Sequence, residues 1–408
     1  MTTFHEARSL ILRQTNPLPP ELVPLTAAVG RVVAADIISP INLPTADNSA
    51  MDGYALRHAD TTPGGILPMA GTIYAGDPPP PPLPDGTAVR IMTGALIPPG
   101  ANAVVPWEET ETVEEGVRIT RPVTEGQHIR RRGEDLREGG VIVRKGTVLR
   151  PAQIGILASC GILLVPVHRR PTVAIVSTGD ELINPGEPVN PGKVVNSNMI
   201  SLAAAVTEAG GIPVMTGIAR DTLPSTRETL ARALCCDVVV TSAGVSAGEK
   251  DLVRNVLEEM GARQIFWKVE IKPGHPTAFA LKEGQPIFSL PGNPVSSLIT
   301  FETFVKPLLR AMQGEPRPIP PLVTAQLRDE IRKKPGRLHF IRVSLMKGAD
   351  GTIYASSAGD QQTGITRTLS SADGLALIPE EETHIPRGAN VSVLILNDRF
   401  DYTSMEES

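Results

Sequence analysis

Between positions 172 and 297, four continuous apolar runs each stop abruptly in a turn of Gly, Ser, Thr, Asp, Asn or Pro. They are TVAIVSTGDE (172–181), IPVMTGIARD (212–221), DVVVTSAGVSAGEKD (237–251) and QPIFSLPGNPVSS (285–297). Val and Ile crowd well onto a pleated surface, and the lack of polar alternation predicts buried, parallel strands. A helical pattern follows each turn: NSNMISLAAAVTEAG, LPSTRETLARALCC, KDLVRNVLEEMG and PVSSLITFETFVKPLLRAM. In the last, Val295, Leu298, Ile299, Phe301, Phe304, Val305 and Leu308 share roughly one face. Strand, polar turn and helix, repeated four times, predict a doubly wound α/β domain with its ligand crevice beyond the strand carboxyl ends.

Outside that region the pattern shortens. Phe4, Ala7, Leu10 and Ile11 fall on one face of a helix in the first 15 residues, followed by a Pro-rich break. From about 45 to 137, brief Val and Ile runs alternate with turns, and DPPPPPLPDG (77–86) reads as a stiff loop or edge, because Pro cannot donate to a ladder. The segment 323–401 alternates apolar and polar positions as a β domain does. The expected architecture is α/β plus β and multidomain: an N-terminal helix (1–20) packing with the α/β domain, a mixed connecting domain (21–45 and 138–170), an inserted small β domain (46–137), the central doubly wound α/β domain (171–313), a C-terminal β domain (316–401) and a frayed tail (402–408).

Composition narrows the function classes. A chain of 408 residues exceeds one core, and 37 Gly with 39 Pro imply many turns. The net charge of −5 argues against a duplex nucleic-acid partner, for which a basic surface is the footprint. No run of 18 apolar residues exists and the N-terminus is charged and amphipathic, so a cytoplasmic protein without membrane contact is expected. Cys160, Cys235 and Cys236 lack metal-ligand spacing and read as small hydrophobes in a reducing compartment.

Chemistry concentrates in the turns. In SAGVSAGEKD, Gly244 and Ser246 belong to a small-residue turn whose N–H groups suit an anion ahead of a helix, while Glu249 and Asp251 would repel phosphate unless a cation intervenes. Helix capping is the simpler role for Asp251 alone. Acidic residues at three strand ends (Asp180-Glu181, Asp221, Asp251) outweigh three independent caps and point to metal or acid–base work. Lys268 and Lys272 would share one face of a regular strand, suiting either an anion or an edge guarded against aggregation. LPGNPVS forms a rigid turn with Ser296 in the first turn of the next helix, which can also be purely structural. In the β insert, DNSAMDGYA, RIMTGA and IRRRGED stand out, the last offering Arg130, Arg131 and Arg132 either to phosphate or to Glu134 and Asp135.

In order, DNSAMDGYA, RIMTGA, IRRRGED, STGDEL, TSAGVSAGEKD, KPGHPTAFA, LPGNPVS and AGDQQTGITRTLSSADGLALIP closely resemble the molybdopterin molybdenumtransferases, the family of bacterial MoeA and the gephyrin E domain. The resemblance spans nearly the whole chain. It implies a molybdopterin-binding type of α/β domain, a homodimer whose cleft lies between the α/β domain of one subunit and the β domain of the other, and insertion of molybdate into adenylylated molybdopterin with Mg²⁺ and release of AMP. It further implies handover to the molybdopterin adenylyltransferase and to molybdoenzymes. The family's important positions match Asp52, Thr93, Asp135, Glu181, Asp221, Asp251, Lys268, Lys272, Pro291 and Pro294. Glu181, Asp221 and Asp251 are the metal candidates. Lys272, Ser296, Arg337 and Thr363 are the molybdate candidates, and Gly244, Ser246, Asn293 and Arg130 join the substrate-binding set. His275 stands where many relatives have Lys, which would make the oxyanion pocket less charged and pH-dependent. Two rivals remain: a scaffold of the same fold without catalysis, and a nucleotide pyrophosphate hydrolase on the same α/β domain.

Overall fold

The computed structural model describes residues 2–244 and 252–397. The chain divides into two compact units, Met1–Glu21 with Gly30–Ala34 and Val167–Ser408, and Leu22–Val29 with Ala35–Pro166.

In the first unit a six-stranded sheet comprises β1 (Thr172–Thr178), β2 (Ile212–Ala219), β3 (Val238–Ser242), β4 (Arg263–Phe266), β5 (Ala278–Lys282) and β6 (Gln285–Leu290), in the order β2-β1-β3-β6-β5-β4. β1 pairs parallel with β2 and β3, and β3 with β6; β5 runs antiparallel to β6 and β4. All four apolar runs are thus adjacent parallel strands. Both faces of the sheet are covered. Val173, Ile175, Val238, Val240 and Phe288 pack with Met199, Leu202 and Val206, the helical Phe304, and Phe4, Ala7 and Ile11 of the helix Phe4–Arg13. Ala174, Val176, Val239 and Ile287 pack on the other face with Leu230, Ala233, Val253 and Val256. Alternate residues go to opposite faces, so a strand buried on both must be apolar throughout.

The single helix expected after β6 is a Pro294–Thr300 α segment, a Phe301–Val305 π segment and a Lys306–Met312 α segment in succession. Pro307 lacks an N–H and cannot close a regular turn there. Inside this stretch, buried Lys306 pairs with Glu302 at 2.9 Å and Glu208 at 2.8 Å.

A second six-stranded sheet holds Leu322–Leu327, Leu338–Lys347, Ile353–Ser357, Gly374–Ile378 and Asn390–Ile395. Its sixth strand is Ile271–Lys272, which pairs parallel with Leu338–His339. The regular strand expected through Lys268 and Lys272 therefore does not form. β4 ends at Phe266, and the Val269 N–H bonds to the His275 carbonyl at 3.0 Å, turning the segment into a closed loop whose end joins the other sheet.

The second unit centres on a four-stranded sheet ordered Met69–Ile73, Ala88–Ile91, Gly53–Leu56, Ala103–Pro106. Gly53 has no tolerated substitute, since a Cβ there would collide with the Val105 carbonyl. From the proline tract, Leu83 is buried among Ile73, Val89 and Ile91 while the flanking prolines face solvent. Among the described residues, no helix is long and apolar enough to cross a membrane.

Candidate functional site

The turns after β1 and β2 are tied together. The Asp180 N–H donates to the Asp221 carboxylate and the Asp221 N–H to the Asp180 carboxylate. Arg220 donates to the carbonyls of Gly179, Asp180 and Leu182 at 3.4, 3.4 and 3.1 Å, and Lys193 to that of Asp180 at 2.7 Å. These cations neutralise main-chain oxygens and leave the Asp180, Glu181 and Asp221 side chains exposed. Gly179 sits at φ 139° with Glu181's carboxylate where a Cβ would be, so a larger residue would displace that carboxylate. Ser246, Glu249 and Asp251 lie outside the described residues; Gly244, just before them, has φ 80°.

A cavity of about 220 Å³ lies at these strand ends, bounded by Thr178, Glu181, Asn196, Asn198, Ser242 and Gly292 among others. Asn198 Nδ2 donates to Ser242 Oγ and to the Gly292 carbonyl, both at 2.7 Å, pinning the end of β3 to the turn after β6. Asn196 caps the helix Ser197–Glu208 and accepts from Ser177 Oγ at 3.0 Å. Sequence reasoning missed both asparagines. The signal was the Asn-Ser-Asn at a helix start, where one Asn serves as cap and leaves the other unexplained.

The proline-flanked turn brings further candidates together. Pro291 is buried, Pro294 opens the helix, and Ser296 is only 5% exposed. Asn293 Nδ2 donates to Thr363 Oγ1 at 2.9 Å. Thr363 also lines a cleft of about 930 Å³ with Lys272, Arg332, Lys333, Lys334 and His339. Arg337 is not among the residues lining that cleft; its Nε donates to Glu270 Oε2 at 3.3 Å. Burial, and then the charges of Lys333, Lys272 and Arg337, push His339 down to about 4. Asp329, Glu330 and Asp360 line the same cleft, and Arg332 pairs with Glu330 at 3.1 Å, so its charge is mixed. Lys268 is half-buried on the loop.

In the second unit, Asp52 and Thr93 form a pair. Asp52 Oδ1 accepts from the Thr93 N–H at 2.6 Å and from its hydroxyl at 2.8 Å. Those two bonds, the backbone one foremost, with Arg90 nearby, hold Asp52 below the usual carboxylate range. Arg130 pairs with Asn48 across a two-residue ladder and keeps its side chain exposed. Arg131 instead binds Asp47 at 2.8 Å, and its N–H binds Glu134 at 2.7 Å. Asp135 is exposed, with its N–H on the Leu43 carbonyl at 3.0 Å.

Comparison with known proteins covers most of the chain. Family models described as the MoeA N-terminal region (domain I and II), a probable molybdopterin binding domain and the MoeA C-terminal region (domain IV) match residues 2–161, 174–311 and 324–396. Molybdopterin molybdenumtransferase 2 of Mycobacterium tuberculosis is 39% identical over 404 residues, 96% of this chain and 99% of that one. The chain belongs to the molybdopterin molybdenumtransferase family. Molybdopterin molybdenumtransferase of Haemophilus influenzae is 36% identical over 397 residues, covering 96% of this chain and 98% of its own. The solved structure of a molybdopterin biosynthesis moeA protein from Pyrococcus horikoshii aligns with TM-score 0.83 at 33% identity, covering 97% of this chain and all of the other (100%).

His275 closes the loop that carries Lys268 and Lys272. Its Nδ1 lies 2.8 Å from the Val269 carbonyl, an acceptor only, so Nδ1 carries the proton and closes the loop. Among the described residues, no three His, Cys, Asp or Glu side chains gather closely enough to hold a metal alone. The exposed carboxylates of Asp180, Glu181 and Asp221 nevertheless suit Mg²⁺, which is commonly bound by one or two carboxylates plus substrate phosphates.

Proposed function

We propose that this chain is a molybdenum insertase, transferring molybdate to the dithiolene of adenylylated molybdopterin with cleavage of the phosphoanhydride and release of AMP. The observation that carries this reading is the 39% identity over 96% of the chain to a named molybdopterin molybdenumtransferase. Glu181 and Asp221, with Asp251, would hold Mg²⁺, which when bound neutralises charge at the phosphoanhydride. Asp52, whose carboxylate is held in place by two hydrogen bonds from Thr93, would be a catalytic residue. Lys272 and Thr363, which line one cleft, would supply charge and a hydroxyl for molybdate. A homodimer in which Asp52, Thr93 and Asp135 serve the partner's α/β domain, cytoplasmic residence, and handover to an adenylyltransferase and to molybdoenzymes belong to the same proposal.

The test is AMP release from adenylylated molybdopterin with and without molybdate. Strict molybdate dependence supports the insertase; equal release in both arms makes the protein a hydrolase; tight binding without release makes it a scaffold.

A further inference from the structure

An exposed aromatic residue, Trp107, adjoins Asp52 through the backbone. The strand Gly53–Leu56 runs between Ala88–Ile91 and Ala103–Pro106, with Gly53 opposite both Ile91 and Pro106. Asp52, Thr93 and Trp107, each just beyond those positions, therefore meet at one end of the sheet. The Trp107 backbone N–H reaches toward the Asp52 carbonyl at 3.4 Å. Arg90 lays its guanidinium over the Trp107 ring, 4.8 Å from the centroid, and its charge also acts on Asp52.

This placement is unusual for the chain's chemistry. Aromatics are 3% of residues and only two are Trp, yet Trp107 is 37% exposed. A core indole would be enclosed; this one is partly exposed to solvent. An indole face stacks on fused heteroaromatic rings, and the guanidinium lying over one face of Trp107 carries N–H groups that suit phosphate.

We propose that Trp107 and Arg90 form a stacking shelf for a fused heteroaromatic ring of the phosphorylated substrate, setting that ring beside Asp52 and Thr93. The identity of the ring rests on the insertase reading: adenylylated molybdopterin carries two, the adenine and the pterin. Arg90 would meet the phosphate and Trp107 the ring face. Asp52 and Thr93 sit at the edge of the shelf, where the phosphoanhydride between the two halves of the substrate would fall. Trp107 is a specificity-determining residue in this scheme and takes no part in bond breaking.

The scarcity of tryptophan makes the shelf directly readable. In full-length W267F, Trp107 is the sole tryptophan, and its emission is titrated with AMP in one arm and a pterin monophosphate in the other. Saturable quenching by one ligand, absent in W107F, is expected and names the ring. Turnover supplies the second readout: W107A raises KM for adenylylated molybdopterin about tenfold with kcat little changed, and W107F restores most of the loss. No quenching in either arm, together with an unchanged KM in W107A, overturns the shelf. So does a W107A chain that loses thermal stability but keeps its KM, because Arg90 and Trp107 would then only stabilise each other. Quenching that persists in a protein releasing AMP without molybdate keeps the shelf and removes the insertase reading.

Discussion

Asp180 and Asp221 each accept a hydrogen bond from the other's backbone N–H, at 3.4 and 3.3 Å, so two strand ends 41 residues apart are locked as a reciprocal pair. Asp221 therefore has two separable roles, an oxygen that orders the turn and a negative charge that faces the crevice. Asp221→Asn keeps an acceptor and removes the charge. The expected result is AMP release lowered about 100-fold or more in both Asp221→Ala and Asp221→Asn, with the thermal midpoint of Asp221→Asn near that of the parent. Asn turnover close to wild type would remove Asp221 from the metal set.

Thr363 is oriented by the amide of Asn293. With the amide nitrogen donating, the Thr363 hydroxyl is left to point its own proton elsewhere, as an oxyanion requires. Thr363→Val is expected to raise KM for molybdate by roughly tenfold, the cost of about one lost hydrogen bond to a charged group, while Thr363→Ser stays within about twofold of wild type. Equal effects of Val and Ser would assign the residue to packing. The measurement is initial-rate AMP release against molybdate concentration.

His339 makes stability depend on pH in a defined window. Its pKa is about 4 in the folded chain against an ordinary 6.5, with burial the main cause. Below 6.5 the unfolded chain takes up a proton that the folded chain refuses. Its contribution is therefore complete above pH 6.5 and lost as pH falls from 6.5 toward 4. Urea unfolding at pH 7.5 and pH 5 should show a loss of stability on acidification that is smaller in His339→Gln. An identical slope in the variant would refute the assignment. The charges placed against His339 are Lys333 and Arg337 near its own strand and Lys272 from the neighbouring short strand.

Asp237 anchors the start of the α/β sheet. It takes a fork from Arg169, 2.6 Å on each arm, and accepts from the Thr172 N–H and hydroxyl at 2.8 and 2.7 Å. Burial alone would raise its pKa; the Arg169 and Thr172 bonds outweigh it and hold the carboxylate below its usual range. Asp237→Ala is expected to cost about 2–3 kcal/mol, with Arg169's partial exposure keeping it from the larger cost of a fully buried broken pair. Chemical denaturation measures it, and activity per folded molecule should be unchanged.

The strands and turns of the α/β region were legible because each carries its signal locally. A residue such as Val240 had to be apolar with its neighbours on either side, and Gly179 or Gly292 marks a turn wherever it occurs in such a setting. The strand through Lys268 and Lys272 was misread for the opposite reason. Its residues have strand propensity, but Val269 found a partner in His275 and Lys272 found one in the C-terminal sheet. Arg131 was also indistinguishable from Arg130 in sequence, although only Arg131 meets Asp47.

By itself the sequence determined the order of parallel strands and helices, the placement of acidic and small residues at strand ends, and the family. Burial on both faces of a sheet constrains every position of a strand, and that constraint is written in consecutive residues. Only the tertiary structure decided that Asn293 meets Thr363, that Trp107 and Arg90 stand beside Asp52, and that Asn198 binds Ser242 to Gly292. These meetings follow from the register of segments far apart in the chain, which no local periodicity encodes.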